Sequence, residues 1–350
     1  MARERTLTEV ELNRALLARQ LLLERSRSSI PKVLERMGGL QAQYAPSMYI
    51  GLWTRIEGFE RDQLDTALER PSVAQGTLMR ATIHLVSKAD YWPMALGIRR
   101  SRRAAWVDGR ARLGYSAKQV SSAARKLRGR LKKGTMNRKE IHKLLGSDSV
   151  ITNGVNMWLD LVRVPPSGTW ERRRADIYAA AEHWLGPPPA QLDEGAGIEL
   201  LVRRYLGGFG PSAVDEIGSW AGLPAKRLAP VLERIELRRF QTEDGTELFD
   251  LPRAPLPDRE TPAPVRFLPT WDATLLVHAR RTGILPEEHR PKVFNARTPQ
   301  SVSTFLVDGR VAGTWSYEKG KVKTKPFGRL DAAARRELHA EGERLAELYA

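Results

Sequence analysis

ELLVRRYLGGFGPSAVDEIGSWAGLPAKRLAPVLERIELRRFQTEDGTELFDL, residues 199–251, is the stretch from which the fold is read. Apolar residues recur at helical spacing over Glu199 to Leu206, Ser212 to Ala221 and Ala225 to Ile235, and Gly-Pro and Leu-Pro steps separate the three segments. Two extended segments follow, Leu237 to Gln241 and Glu247 to Leu251. They flank Thr242-Glu243-Asp244-Gly245-Thr246, whose Asp-Gly step is a strong hairpin signal. Three helices closed by a hairpin predict a winged helix.

The same order is visible upstream. Lys118 to Leu131, Asn137 to Leu145 and Asn153 to Val162 have helical spacing, and Arg163 to Arg172 offers two short extended pieces around a Pro/Gly turn. Nearer the start, Thr8 to Arg25 predicts a helix with Thr8 as N-cap and Glu11 three residues on. Ser29 to Met37 predicts a second, with Pro31 in its first turn and Gly38-Gly39 ending it, and Thr77 to Val86 predicts a strand. Pro252 to Pro264 cannot sustain a helix or central strand. Beyond it, Val265 to His278, Ser301 to Val307, Arg310 to Tyr317 and Lys321 to Lys325 are strand-like, and Asp331 to Tyr349 is an amphipathic helix.

The expected fold is α+β, with three tandem winged-helix modules, a small C-terminal β-barrel and a closing helix. The boundaries are 1–115, 116–193 and 194–251 for the modules, 252–264 for a Pro-rich linker and 265–350 for the barrel with its helix. A chain of 350 residues with 41% hydrophobic content can bury a substantial core. Cysteine is absent, which excludes disulfides, thiolate nucleophiles and cysteine-ligated metals, and the expected compartment is the cytoplasm, in association with the nucleoid. No run approaches the roughly 18 to 20 apolar residues that span a bilayer.

A formal charge of +16 points to a polyanionic partner. Much of it lies between Arg99 and Lys143, a belt that includes Arg128, Lys132, Lys133 and Arg138. A solvated basic face is the plainer reading of such a belt. The six histidines, His84, His142, His183, His278, His289 and His339, lack ligand spacing, so no metal site is expected. No Gly-rich phosphate loop of Walker or dinucleotide type is present, and no cofactor is expected.

What remains for chemistry is Gly38-Gly39-Leu40-Gln41-Ala42-Gln43-Tyr44-Ala45-Pro46. Two amides two residues apart share a side if the backbone is extended, and each carries both donors and an acceptor. Alone, the pattern is also what helix capping or surface solvation would leave.

With Arg80-Ala81-Thr82-Ile83-His84-Leu85-Val86, Phe267-Leu268-Pro269-Thr270-Trp271-Asp272 and Val307-Asp308-Gly309-Arg310-Val311-Ala312-Gly313-Thr314-Trp315, it makes the chain resemble the AlkZ-like DNA glycosylases over nearly its whole length. The resemblance implies a cationic concave surface for duplex DNA and a catalytic Gln-x-Gln or Gln-x-Asp triplet. Gln41 and Gln43 match the Gln-x-Gln branch, associated with bulky toxin adducts and interstrand crosslinks in repair or antibiotic self-resistance. The implied reaction is monofunctional hydrolysis of the N-glycosidic bond of an N7-alkylated purine in duplex DNA. Such a base is already cationic and leaves as a neutral molecule. Gln43 is assigned to water and Gln41 to water or the deoxyribose, roles that could be exchanged.

Lys32 could approach the triplet in space. Candidate DNA contacts are Arg80, His84, Arg128, Lys132, Lys133, Arg138 and Arg172. His84 has an ordinary sheet position as its alternative. Asp272 offers either a carboxylate that supports the site from behind or a turn or hydrogen-bonded structural role. The turn Val307 to Gly313 either projects at DNA or closes the barrel. The chain is expected to act as a monomer with no obligatory protein partner. The rival reading is a winged-helix transcription regulator without enzymatic activity.

Overall fold

The computed structural model describes residues 4–146, 148–275, 279, 281–294 and 301–350. Helices form where apolar periodicity and caps coincide. Ala117–Leu131 opens with a capping box between Ser116 and Gln119, Arg138–Leu145 with one between Asn137 and Glu140, and Ser149–Trp158 under the carboxylate of Asp148. Their hairpin is wider than expected. Leu161–Arg163 pairs antiparallel with Ile177–Ala180, and residues 164–176 form the loop between, because Pro165 and Pro166 cannot donate to a ladder.

Farther on, Glu194–Phe209, Val214–Ala221 and Ala225–Arg234 are followed by the antiparallel pair Arg238–Thr242 and Glu247–Asp250. The strand Thr6–Leu7 joins this pair from the other end of the chain, parallel to Arg238–Thr242.

The first helix is shorter than its periodicity suggested. It spans Glu9–Arg19 and stops at Gln20; Leu21 takes a φ of 57°. Arg19 and Gln20 are both fully buried, and their side chains bond to carbonyls and a carboxylate of other segments. Helices Ile30–Met37, Ala45–Trp53 and Arg61–Glu69 follow. The single strand expected over Thr77 to Val86 is instead half of a hairpin, Val73–Thr77 and Ile83–Ser87, with a tight turn at Met79–Ala81.

That hairpin sits inside an antiparallel sheet of six strands. Its order is Leu40–Gln41, Ile83–Ser87, Val73–Thr77, Leu161–Arg163, Ile177–Ala180, Met136–Asn137. One sheet therefore runs from the glutamine triplet to the basic helices. Behind it, helix Lys88–Arg110 crosses Glu194–Phe209 at two glycines: a Cβ on Gly197 would stand 2.5 Å from the Pro93 carbonyl oxygen. Any side chain there would push the helices apart.

The C-terminal strands Arg266–Leu268, Thr304–Val307, Arg310–Glu318 and Lys321–Pro326 form a four-stranded antiparallel sheet in that order. Its first and last strands are not paired, so the expected barrel does not close among the described residues. Helix Ala332–Tyr349 packs on both of those strands, and its Leu338, Leu345 and Leu348 enter a core with Phe267, Phe305 and Trp315. The helix occupies the place where closure would occur. Among the described residues of the extended run Val265 to His278 only Arg266–Leu268 is strand, and residues 276–278, His278 included, lie outside the described residues. Residues 252–264 carry no regular structure. No described helix is long and apolar enough to cross a membrane.

Two ion pairs tie distant parts together. Arg19 meets Asp250 in two bonds of 2.6 and 2.8 Å, and Arg55 meets Asp272 in two of 2.9 Å; all four side chains are fully buried. Asp272 is therefore structural. Removing one partner leaves an uncompensated charge in a medium that cannot solvate it, which typically costs about 3–5 kcal/mol. Asp272→Ala is expected to lower the unfolding free energy by that amount in denaturant titration, and a loss below about 1 kcal/mol would contradict the assignment.

Candidate active site

The triplet is placed by two consecutive glycines. Helix Ile30–Met37 ends at Gly38 with φ 79°, and Gly39 follows with φ 85°, a pair of left-handed residues that turns the chain sharply. A Cβ at Gly39 would lie 2.9 Å from Val86 Cγ1 and 3.0 Å from the Leu85 carbonyl oxygen. Glycine thus allows Leu40–Gln41 to run against Ile83–Ser87, with Leu40 opposite Leu85 and Gln41 opposite His84. The Ala42 amide donates to the Ile83 carbonyl at 2.8 Å. Tyr44 then caps the helix Ala45–Trp53, which has Pro46 in its first turn.

Gln41 is buried and Gln43 exposed. The two amides do share a side: Gln41 Nε2 donates to Gln43 Oε1. The other end of Gln41 is also engaged, its Oε1 accepting from Arg80 Nη2 at 3.2 Å.

Arg80 is not a strand residue. It occupies the left-handed region, φ 52° and ψ 22°, and Ala81 follows with φ 57°. Neither is a glycine or asparagine, which is why the turn was invisible in the sequence. The turn is closed by Leu78 N to Thr82 O at 3.0 Å and Thr82 Oγ1 to Met79 O at 3.1 Å. The arginine's other arm, Nη1, donates to the Trp220 carbonyl at 2.5 Å. Gly222 presses close behind, since a Cβ there would be 3.3 Å from Arg80 N. Burial lowers the guanidinium to about 10, so it remains charged at neutral pH.

His84, the cross-strand partner of Gln41, is buried. Burial first, and the Arg80 charge second, push it down to about 3. The imidazole is therefore neutral. Its Nδ1 lies 3.1 Å from the Thr82 carbonyl, which can only accept, so Nδ1 carries the proton.

Among the remaining candidates, Arg138 and Arg172 meet in a cleft of roughly 550 Å³, together with Lys139, His142 and Arg174 around Asp176. Arg172 and Arg174 approach that carboxylate at 3.1 and 3.7 Å. The intervening Arg173 donates to the Tyr44 hydroxyl at 3.2 Å, so the loop of residues 164–176 reaches the residue next to Gln43. Arg173 was not singled out in the sequence, although its place in an Arg-Arg-Arg run within a Pro/Gly turn could have marked it. Trp220 contributes only a backbone carbonyl and so had no side-chain signal.

Arg128 pairs with Glu182, its Nε 2.8 Å from Oε1, while Lys132 and Lys133 are exposed beyond the end of helix Ala117–Leu131. Part of the basic belt is internal. Arg99 and Arg102 hold Asp160 at 2.6 and 2.8 Å, and Arg103 donates to the carbonyls of Met157 and Trp158. Lys32 pairs with Glu35 at 2.8 Å. The Asp308-Gly309 turn does not project: Arg14 holds Asp308 at 2.6 Å and Asn13 donates to the Gly309 carbonyl at 2.9 Å.

The family described as DNA glycosylase AlkZ-like matches residues 34–348. Among solved structures, Streptomyces sahachiroi DNA glycosylase AlkZ has a similar fold, with a TM-score of 0.81 and 18% identity over 98% of this chain and 97% of that one. No curated protein matches.

The His84 environment has a pH signature. Between about pH 6.5 and pH 3 the unfolded chain binds a proton at this imidazole that the native state refuses, so its contribution to stability is present above pH 6.5 and lost as the pH falls. In urea titrations between pH 7 and pH 5, wild type is expected to lose stability faster than His84→Gln, with the difference approaching about 1.4 kcal/mol per pH unit. Equal slopes would contradict a buried neutral histidine.

Proposed function

The chain belongs to the AlkZ-like DNA glycosylase family, and we propose that it hydrolyses the N-glycosidic bond of N7-alkylated purines in duplex DNA, with Gln43 positioning the water. The observation that carries this reading is the asymmetry of the two amides. Gln41 is buried and bonded at both ends, whereas Gln43 is exposed and keeps a second lone pair on Oε1. Gln43 is thus the one of the pair that can meet solvent and substrate.

An N7-alkylated purine leaves as a neutral base, so the site needs no strong acid. It needs water held beside an oxocarbenium-like C1′, and an amide oxygen supplies orientation rather than basicity. Monofunctional chemistry is supported by the absence of any lysine next to the triplet in sequence; Lys32 is exposed on helix Ile30–Met37 beside Glu35. Winged-helix units bearing on the duplex are supported, for two of the three, by the helix and hairpin order in residues 117–180 and 194–250. The cleft around Arg138 and Arg172 and the loop at Arg173 supply phosphate contacts that lead toward the triplet. Bulky adducts and crosslinks are the substrates that the Gln-x-Gln pair favours, and a single chain carrying all these surfaces acts as a monomer.

Incubation with duplex containing N7-methylguanine or a bulky N7-guanine adduct is expected to release free base, and Gln43→Ala to slow release by about 10²-fold or more with duplex affinity unchanged. Release unaffected by Gln43→Ala would remove the assigned role, and sequence-preferring binding without release would mark a regulator. Arg138→Ala with Arg172→Ala is expected to weaken binding to all duplexes alike and to reduce the salt dependence of log K by about 0.9 per lost phosphate contact.

A further inference from the structure

We propose that Arg80 is a positioning residue that fixes which atom Gln43 presents to the attacking water. The proposal rests on the reading of Gln41 and Gln43 as the catalytic pair. An amide side chain has an oxygen and an NH₂ of nearly the same shape, and it can present either by rotating half a turn. Only a partner of fixed character removes that ambiguity. A guanidinium is such a partner, because it donates and never accepts.

Arg80 Nη2 faces Gln41 at 3.2 Å, so the atom it faces is Oε1. The NH₂ of Gln41 must then point at Gln43. An NH₂ group only donates, so Gln43 must turn its own Oε1 inward to accept. Two successive choices are settled by one charge two hydrogen bonds away from Gln43. What Gln43 offers the substrate is the free lone pair of an oxygen whose position is set, and its NH₂ is turned elsewhere.

The arginine is itself held. Its other arm bonds to the Trp220 carbonyl at 2.5 Å, one of the last carbonyls of helix Val214–Ala221, where the partial negative charge of a helix end attracts a cation. Its backbone is locked in a left-handed turn against Gly222. The carbonyl of a segment more than a hundred residues away thus orients the triplet, through a bond of sequence separation 140.

Without Arg80, Gln41 is free to invert, Gln43 follows, and an NH₂ that cannot accept a hydrogen bond from water replaces the oxygen. In single-turnover base release from a defined N7-guanine adduct, Arg80→Met is expected to slow the chemical step about 10- to 100-fold with the dissociation constant for the duplex changed by less than about 2-fold. Arg80→Lys, still a pure donor, is expected to recover part of the rate, and Arg80→Gln, which can present either atom, to recover none. In protein labelled with ¹⁵N-glutamine, the Gln41 side-chain amide signal, assigned by its loss in Gln41→Ala, is expected to shift in Arg80→Met and to stay near its wild-type position in Arg80→Lys.

A rate within about 2-fold of wild type in Arg80→Met, where Gln43→Ala abolishes release, would overturn the positioning role and leave the catalytic pair standing. Equal rates in Arg80→Lys and Arg80→Gln would overturn it as well, and this comparison decides the matter if Arg80→Met fails to fold. A loss confined to duplex affinity would make Arg80 a phosphate contact instead. If Gln43→Ala itself releases base normally, the failure lies in the underlying reading.

Discussion

The fold depends on two guanidinium–carboxylate pairs sealed from water, Arg19–Asp250 and Arg55–Asp272, which join residues 231 and 217 positions apart. A buried pair gains little over well-packed apolar residues, because stripping both ions of water consumes most of the attraction. Its importance lies in what it forbids: neither segment can move without exposing a charge to a medium that cannot solvate it. Here the two pairs are linked. Arg55 Nε donates to the Gln20 carbonyl, and Gln20 Nε2 donates to the carbonyls of Gly208 and Met37. Met37 is the residue before the two glycines that aim the triplet. The network therefore lies immediately behind the candidate active site, and the geometry of Gln41 and Gln43 inherits its rigidity.

Where the sequence was informative, a local physical rule governed the structure. Apolar spacing and the Asp-Gly step placed the helices and hairpin of residues 194–250, and Gly38-Gly39 ended a helix because left-handed backbone comes easily to glycine. The two amides meet as an extended backbone would have them do, although the strand ends at Gln41 and Gln43 stands in a bend. Long-range roles of charged residues were not legible. Arg19 and Arg55 are of a residue type usually found at the surface, and nothing near them in sequence marks them as fully buried. The turn at Arg80 and Ala81 escaped for the complementary reason, since tertiary contacts impose on ordinary residues a conformation that local preference would not select. The basic belt was read by composition alone, and composition does not separate Arg102, which binds Asp160 internally, from the exposed Lys132.

The electrostatics around the triplet form a consistent set. Arg80 brings one charge close to the amides, and His84 stays neutral because that charge and the surrounding protein both oppose its protonation. A second cation at this depth would act against any positive charge developing on a sugar. The cations at Arg138, Arg172, Arg173 and Arg174 lie instead on an exposed cleft and loop, where water moderates their mutual repulsion and a polyanion could replace it.

The strand Thr6–Leu7 lies beside Arg238–Thr242. During synthesis the first of these segments leaves the ribosome long before its partner exists, so the sheet of the last helical unit is completed only when more than two hundred residues have emerged. The unit at residues 194–250 consequently lacks an edge when made alone, and the start of the chain lacks a place to dock. Completion of this one sheet thus couples segments more than two hundred residues apart. The interval before it is when the unpaired strand edge is open to association with other chains.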